Sequence, residues 1–317
     1  MVRLGIIGCA DIAQKRFMPA AKNVKDLEVV AVAEEYAPSK MKSFCDEFGL
    51  EGEESFEKII SRKDIDAVYI PQPPALHYKY AKMALEKGKH VLLEKPSTTD
   101  YELSKELVQL AGEKELALHE NYMFQYHSQI SQIKKMIDDG EIGKVRLYKA
   151  AFGFPLRAQN DFRYVKDLGG GALLDAGGYT LKLATILLGK TVKVDCSMLN
   201  DISGYEVDMF GSASLSNDDG TVCQVAFGMD CQYQCSLEVW GSKGRLYTNR
   251  IFTAPDGYAP TVIIEDGADK KEVKLMADSH FQHSIEAFIK QIENKDERES
   301  MYNDILIQAK LVSEVRK

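Results

Sequence analysis

No run of about 18 apolar residues occurs in the 317-residue chain, which excludes a membrane-spanning helix. The apolar core within Met1–Ala10 is short and runs into a glycine turn with no cleavage-like segment, so it does not read as a leader. Cysteine is sparse: six in a chain of this length make no disulfide framework. Cys231 and Cys235, four apart in a strand-like stretch, read as small buried thiols, and a reducing, cytoplasmic compartment is expected. Positive charge is scattered rather than striped. With 40 Lys and Arg against 48 Asp and Glu, a nucleic-acid partner has no electrostatic support. Internal repeats, low-complexity segments and long linkers are also missing. His280 and His283 lie three apart with no third ligand in metal-site spacing, so no metal is expected.

What is present is the composition of a globular protein, 45% hydrophobic and 28% charged, and long enough for two cores. The first part alternates strand and helix patterns. Strands are expected at Val2–Ile7, Leu27–Ala33, Ala67–Ile70, His90–Leu93 and Leu116–His119. Helices are expected at Ile12–Val24, Pro38–Phe48, Phe56–Ser61, His77–Lys87 and Asp100–Lys114. This rhythm predicts an α/β domain over residues 1–120, a parallel sheet covered on both faces. Beyond it the rhythm changes. A helix at Ser128–Asp139, a strand at Lys144–Phe152 and a glycine-led helix at Gly169–Leu188 precede a series of strands over Val192–Leu246. Helices return at Ser279–Glu293, where Ser279 and Gln282 have the form of a capping box, and at Met301–Arg316. Residues 121–317 therefore read as an α+β domain with an open, mostly antiparallel sheet.

Four motifs carry chemistry. Gly8-Cys9-Ala10-Asp11-Ile12-Ala13 joins the first strand to the first helix, where backbone N–H groups and a helix N-terminus receive a pyrophosphate. Its spacing is that of the dinucleotide fingerprint with Ala10 in the second glycine position; the other reading is an ordinary strand–helix turn. Glu34-Glu35 ends the second strand. Glu34 there can accept from the adenosine ribose hydroxyls and would repel a 2′-phosphate, which favours NAD(H); the alternative is a solvated pair, and Lys40 leaves NADP(H) open. Glu94-Lys95-Pro96 ends the fourth strand, where Lys95 is placed to touch a substrate oxygen or simply to be solvated. Gly169–Tyr179 opens a helix on which Asp175 and Tyr179, four apart, form an acid/base pair on one face; the other reading is a partly buried tyrosine.

Together these residues resemble the glucose-fructose oxidoreductase / inositol dehydrogenase / rhizopine catabolism (Gfo/Idh/MocA) family over essentially the whole chain. The resemblance rests on the glycine turn, Pro71–Pro74 followed by His77, Glu94-Lys95-Pro96, Gly169–Tyr179 and Val239–Gly244. A narrower resemblance, in Asn121–Gln129, Phe152–Tyr164 and Arg250–Pro255, is to bacterial 3-ketoreductases of dTDP-linked deoxysugars. The family implies a Rossmann domain and a C-terminal domain whose sheet often builds a homo-oligomer. It implies Lys95, Asp175 and Tyr179 as the catalytic set, with Tyr179 where inositol-type members carry histidine. It sets Pro71, His77, Glu94 and Lys95 at the cofactor with Gly8, Ala10, Asp11, Ile12 and Glu34. The ketoreductases tend to prefer NADP, with a serine-arginine pair where this chain has Glu34-Glu35.

His127 and Gln129 line the cleft or cap the helix that begins there. Arg163 and Tyr164 grip a diphosphate and stack on a base, or form a surface loop. The expected activity is hydride transfer between a nicotinamide and a sugar or nucleotide sugar. In it Tyr179 is the proton donor, Lys95 stabilises the alkoxide and Asp175 orients, and the first two roles are exchangeable. The rivals are a dehydrogenase of a free sugar, inositol or dihydrodiol, and a catalytically silent dinucleotide-binding regulator.

Overall fold

The computed structural model describes residues 1–317. The chain divides into two compact units: Met1–Asn121 with Phe281–Ala309, and Tyr122–His280 with Lys310–Lys317.

The first unit holds strands β1 (Val2–Ile7), β2 (Leu27–Ala33), β3 (Glu51–Glu53), β4 (Ala67–Ile70), β5 (His90–Glu94) and β6 (Leu118–Asn121). Its helices are α1 (Met18–Ala21), which continues a wider-turned segment Ala13–Phe17, α2 (Pro38–Phe48), α3 (Phe56–Ser61), α4 (Pro74–Glu86) and α5 (Tyr101–Glu113). All strand pairings are parallel, in the order β3-β2-β1-β4-β5-β6. Every residue of β4 is buried, as are Leu4, Ile6 and Ile7 of β1, because helices cover both faces. The order reverses between β1 and β4, and the crevice at such a reversal lies at the strands' carboxyl ends. Local chemistry sets the ends of the helices. Asp100 accepts from the Glu102 N–H at the start of α5, and Gly49 closes α2 at φ 70°. β6 begins two residues later than the apolar run suggests. Leu116 still belongs to the turn after α5, where its N–H donates to Ala111.

The second unit contains α6 (Ser128–Asp138), β7 (Val145–Gly153), a wider-turned segment Leu173–Gly177 and α7 (Gly178–Leu188). Strands β8 (Lys193–Asp201), β9 (Asp208–Ser216), β10 (Val222–Gly228), β11 (Gln234–Gly241), β12 (Arg245–Asn249), β13 (Thr261–Asp266) and β14 (Asp269–Lys274) follow. They form an eight-stranded sheet in the order β14-β13-β12-β11-β7-β10-β9-β8, antiparallel except where β10 runs beside β7. Alternation puts Tyr148, Ala150, Phe152, Cys223, Val225 and Phe227 on the buried face. Ala151, Ala226, Phe210 and Met198 point the other way. α7 is apolar nearly all round and mostly buried.

The last helices are α8 (His280–Glu293) and α9 (Lys295–Val315), and Phe281–Ala309 packs with the first unit. There the Tyr302 hydroxyl donates to the Leu116 carbonyl. At the start of α8 the Ser279 N–H goes to Asp278 and the Gln282 amide to Glu286, in place of a capping box. No helix is long and apolar enough to cross a membrane.

Candidate active site

In the first unit the candidate residues gather at the carboxyl ends of β1, β2, β4 and β5. Gly8 sits at φ 106°, a conformation that favours glycine, and a Cβ there would run into the Gln72 side-chain amide. That amide donates to the Ile7 carbonyl at 2.8 Å and closes the turn from above. Ala10 and Ile12 lead from the turn into the helix, with the Ala10 carbonyl accepting from Gln14. Asp11 is exposed, and its side-chain bond to Lys15, with Lys40 nearby, holds its carboxyl below the usual range. A glycine turn closed this tightly, opening a helix at its exposed first residue, fits the pyrophosphate of a dinucleotide.

Glu34 is engaged differently from the sequence expectation. Its two carboxylate oxygens accept from the Cys9 and Tyr36 backbone N–H groups, each at 3.0 Å. Glu35 accepts from the Phe56 N–H at 2.7 Å and helps to start α3. Both acids thus tie down backbone.

Pro71 is buried after β4. His77, 1% exposed, lies 2.7 Å from the Pro96 carbonyl through Nδ1 and 2.7 Å from the Gln72 carbonyl through Nε2. It ties the loop after β4 to the loop after β5. Burial pushes its ring down to about 4, against the pull of the two carbonyls. Glu94 receives the Tyr69 hydroxyl at 2.8 Å and the Asn121 amide at 2.7 Å on one oxygen. Burial raises its carboxyl, while these bonds and the neighbouring Lys95 pull it back. Lys95 follows, half-buried, and the Lys95–Pro96 bond is cis.

In the second unit the glycine segment is bolted in place from two sides. The Gly171 N–H donates to the Arg163 carbonyl at 2.9 Å, and Gly170 lies so close to that carbonyl that a Cβ has no room. Asp208, on β9, accepts from the Leu173 N–H at 2.6 Å and fills the space beside Gly171, which sits at φ 116°. Asp208 was not visible as a candidate in the sequence, because nothing there pairs β9 with this helix start.

The structure brings Arg163 and Asp175 together. Arg163 Nε donates to Asp175 at 2.6 Å and Nη1 to Asp161 at 3.1 Å, with the guanidinium over the Phe162 ring. Burial works against its charge, and Asp175 and Asp161 outweigh that effect. Tyr164 is buried; its hydroxyl accepts from the Arg157 N–H and its ring leans on Tyr205. Tyr179 sits among the rings of Tyr122, Phe124, Phe152 and Phe252, and its hydroxyl points to the Met123 sulfur at 3.6 Å. His127 caps α6 by accepting from the Gln129 N–H, and Gln129 reaches the Arg250 and Ile251 carbonyls. Arg250 is exposed at φ 63° and stacks on Tyr233. No three His, Cys, Asp or Glu side chains converge to hold a metal ion.

Residues 2–122 match the Gfo/Idh/MocA model, an oxidoreductase family with an NAD-binding Rossmann fold, and residues 130–247 match the GFO/IDH/MocA C-terminal domain. The chain is 40% identical to a dTDP-3,4-didehydro-2,6-dideoxy-alpha-D-glucose 3-reductase of Actinomadura kijaniata, over 99% of this chain and 95% of that protein. It is 38% identical to the enzyme of that name from Saccharopolyspora spinosa, over 92% and 87%. The crystal structure of a 3-ketoreductase from Actinomadura kijaniata in complex with NADP and TDP-benzene superposes with a TM-score of 0.96 at 40% identity, covering 99% of this chain and 97% of that one. Structures of that reductase hold NADP throughout, which overturns the preference for NAD(H) read from Glu34. The physical reason lies in the turn: a carboxylate that accepts two backbone N–H groups is no longer a free reader of a ribose hydroxyl or a free repellent of phosphate. This chain belongs to the Gfo/Idh/MocA family and is an NAD(P)-dependent oxidoreductase.

Proposed function

We propose that the protein reduces the 3-keto group of a nucleotide-linked deoxysugar with NADPH. The observation that carries this reading is the similarity of nearly the whole chain to four proteins named dTDP-3,4-didehydro-2,6-dideoxy-alpha-D-glucose 3-reductase, at 34% to 40% identity. A D-xylose 1-dehydrogenase and a scyllo-inositol 2-dehydrogenase lie further off, at 28% and 26%.

The nicotinamide, when bound, supplies the hydride. Gly8, Ala10, Asp11 and Ile12 receive the pyrophosphate, and Pro71, His77 and Glu94 shape the loops around it. Tyr179 gives its hydroxyl proton to the forming alkoxide, and its ring is held for that task by four aromatic neighbours. Lys95 stabilises the negative charge on that oxygen. Asp175 orients the substrate, and Arg163 keeps Asp175 aimed. With Arg163 engaged in this way, the exposed Arg250 is one cation available to meet a diphosphate, with the Tyr164 loop beside the sugar. His127 contributes by fixing the start of α6. Residues 1–120 serve the cofactor and residues 121–317 the substrate and self-association. Six unpaired thiols support a reducing, cytoplasmic setting.

The test is turnover with NADPH on a dTDP-linked 3-keto-deoxysugar beside free xylose and inositol. Lys95→Ala and Tyr179→Phe are each expected to lose about 10²-fold or more in kcat. Full turnover in both variants, or activity on free polyols alone, would overturn the reading.

A further inference from the structure

A string of buried hydrogen bonds runs from Glu94 into the C-terminal part of the chain, all within the first unit. Asn121, paired in register with Glu94 on the neighbouring strand, donates its side-chain N–H to Glu94 Oε1 at 2.7 Å. Its carbonyl oxygen therefore faces the other way, where the Ser284 hydroxyl of α8 donates to it at 2.8 Å. That hydroxyl has only one proton, now used, so Ser284 Oγ must accept from His119 Nε2, 3.0 Å away. Gln291, two turns further along α8, brackets the other ring nitrogen at 3.1 Å. His119, Asn121, Ser284 and Gln291 are at most 3% exposed.

From His119 Nε2 through Ser284 and Asn121, the donated protons point toward the Glu94 carboxylate. Tyr69, stacked on Phe17, adds a second donor to the same oxygen, and the Lys95 backbone N–H also favours the charged carboxylate. The vulnerable joint is Asn121. An amide can turn over, and turned over it would present its oxygen to a carboxylate oxygen. Only a donor behind it fixes its sense.

We propose that Ser284, backed by His119, is a positioning residue for the active site: it locks the amide of Asn121 so that Glu94, and with it the backbone entering Lys95, is held in one working arrangement. The inference rests on the role of Lys95 proposed above. It gives α8, about 190 residues beyond the Glu-Lys-Pro triplet in sequence, a part in the reaction as well as in folding.

The test is Ser284→Ala beside Ser284→Thr, read as kcat, KM, melting temperature and the dissociation constant for NADPH alone from its fluorescence. Ser284→Ala is expected to lower kcat about tenfold, the size of one bond in a charged network, and to weaken NADPH binding several-fold. Ser284→Thr, which keeps the hydroxyl, should restore both. Asn121→Asp is isosteric and replaces the donor by an acceptor; it should lower both even if Ser284→Ala folds poorly. If Ser284→Ala and Asn121→Asp lower only the melting temperature, the string merely anchors α8 and the inference falls. Lys95→Ala assayed alongside separates the two claims: with that variant inactive, an unaffected Ser284→Ala fails this inference alone, whereas an active Lys95→Ala fails the reading beneath it.

Discussion

Glu34 spends both carboxylate oxygens on the turn that carries Gly8, and His77 stands 2.7 Å from one carbonyl in each of two adjacent loops, with its single neutral-ring N–H to give to one of them. Charged and titratable side chains near the cofactor end therefore shape backbone first. His90 shows the same habit with a measurable consequence. Its Nδ1 accepts from the Ala117 N–H at 2.9 Å, which requires an unprotonated nitrogen. Burial, then the Arg298 charge, pushes the ring down to about 4 from an ordinary 6.5. A folded pKa below the unfolded one means that the unfolded chain takes up the proton first. The contribution is fully present above about pH 6.5 and drains away as pH falls toward 4. It amounts to on the order of 2 kcal/mol for this partly exposed ring. His90→Gln, which keeps an acceptor without the titration, is expected to show a smaller drop in melting temperature between pH 7 and pH 5 than the parent. Equal drops would refute the assignment.

At the level of elements, the helix that carries Asp175 and Tyr179 depends on two partners distant in sequence. The loop residue Arg163 holds Asp175, and Asp208 on β9 holds the Leu173 N–H. Burial raises the Asp208 carboxyl, so its bond to the backbone is made at a cost and is not a surface accident. Asp208→Ala leaves a part-buried N–H unpaired and opens space beside Gly171. A loss of about 1–3 kcal/mol is expected in urea unfolding. A change below a few tenths would show that water replaces the carboxylate freely. The glycine run is legible as a close approach of backbone. The partner that makes the approach necessary is not, because strand pairing brings β9 there.

Across the whole molecule, the exposed face of the eight-stranded sheet carries Met198 at 64%, Phe210 at 46% and Trp240 at 43% exposure, with Lys149 over the Trp240 ring. A broad sheet face with these side chains is suited to burial against a second copy. Phe210→Glu, on the strand next to the β8 edge, is expected to shift the protein toward monomer in light scattering while leaving its secondary structure intact. An unchanged mass for Phe210→Glu and Trp240→Glu together would rule this face out.

What the amino-acid order determined by itself is the part governed by local physics. Apolar runs of four to seven residues, stopped by glycine, by proline or by the Glu34-Glu35 pair, placed β1, β2, β4 and β5, and charge and turn chemistry placed α2, α3 and α5. The glycine turn, Lys95 and the Asp175–Tyr179 spacing were legible for the same reason: each is a short segment whose chemistry is complete within a few residues. Polar edge strands such as β3 and β14 bury too little apolar surface to leave a period, and they were not. Tertiary structure alone decided where α8 and α9 pack, that Arg163 belongs to Asp175, and that Glu34 answers Cys9 and Tyr36 in place of a ribose. A hydrogen bond across 25 residues, or across 163 as between Ser284 and Asn121, has no local signature. It exists only once burial has excluded the water that either partner would otherwise have bonded.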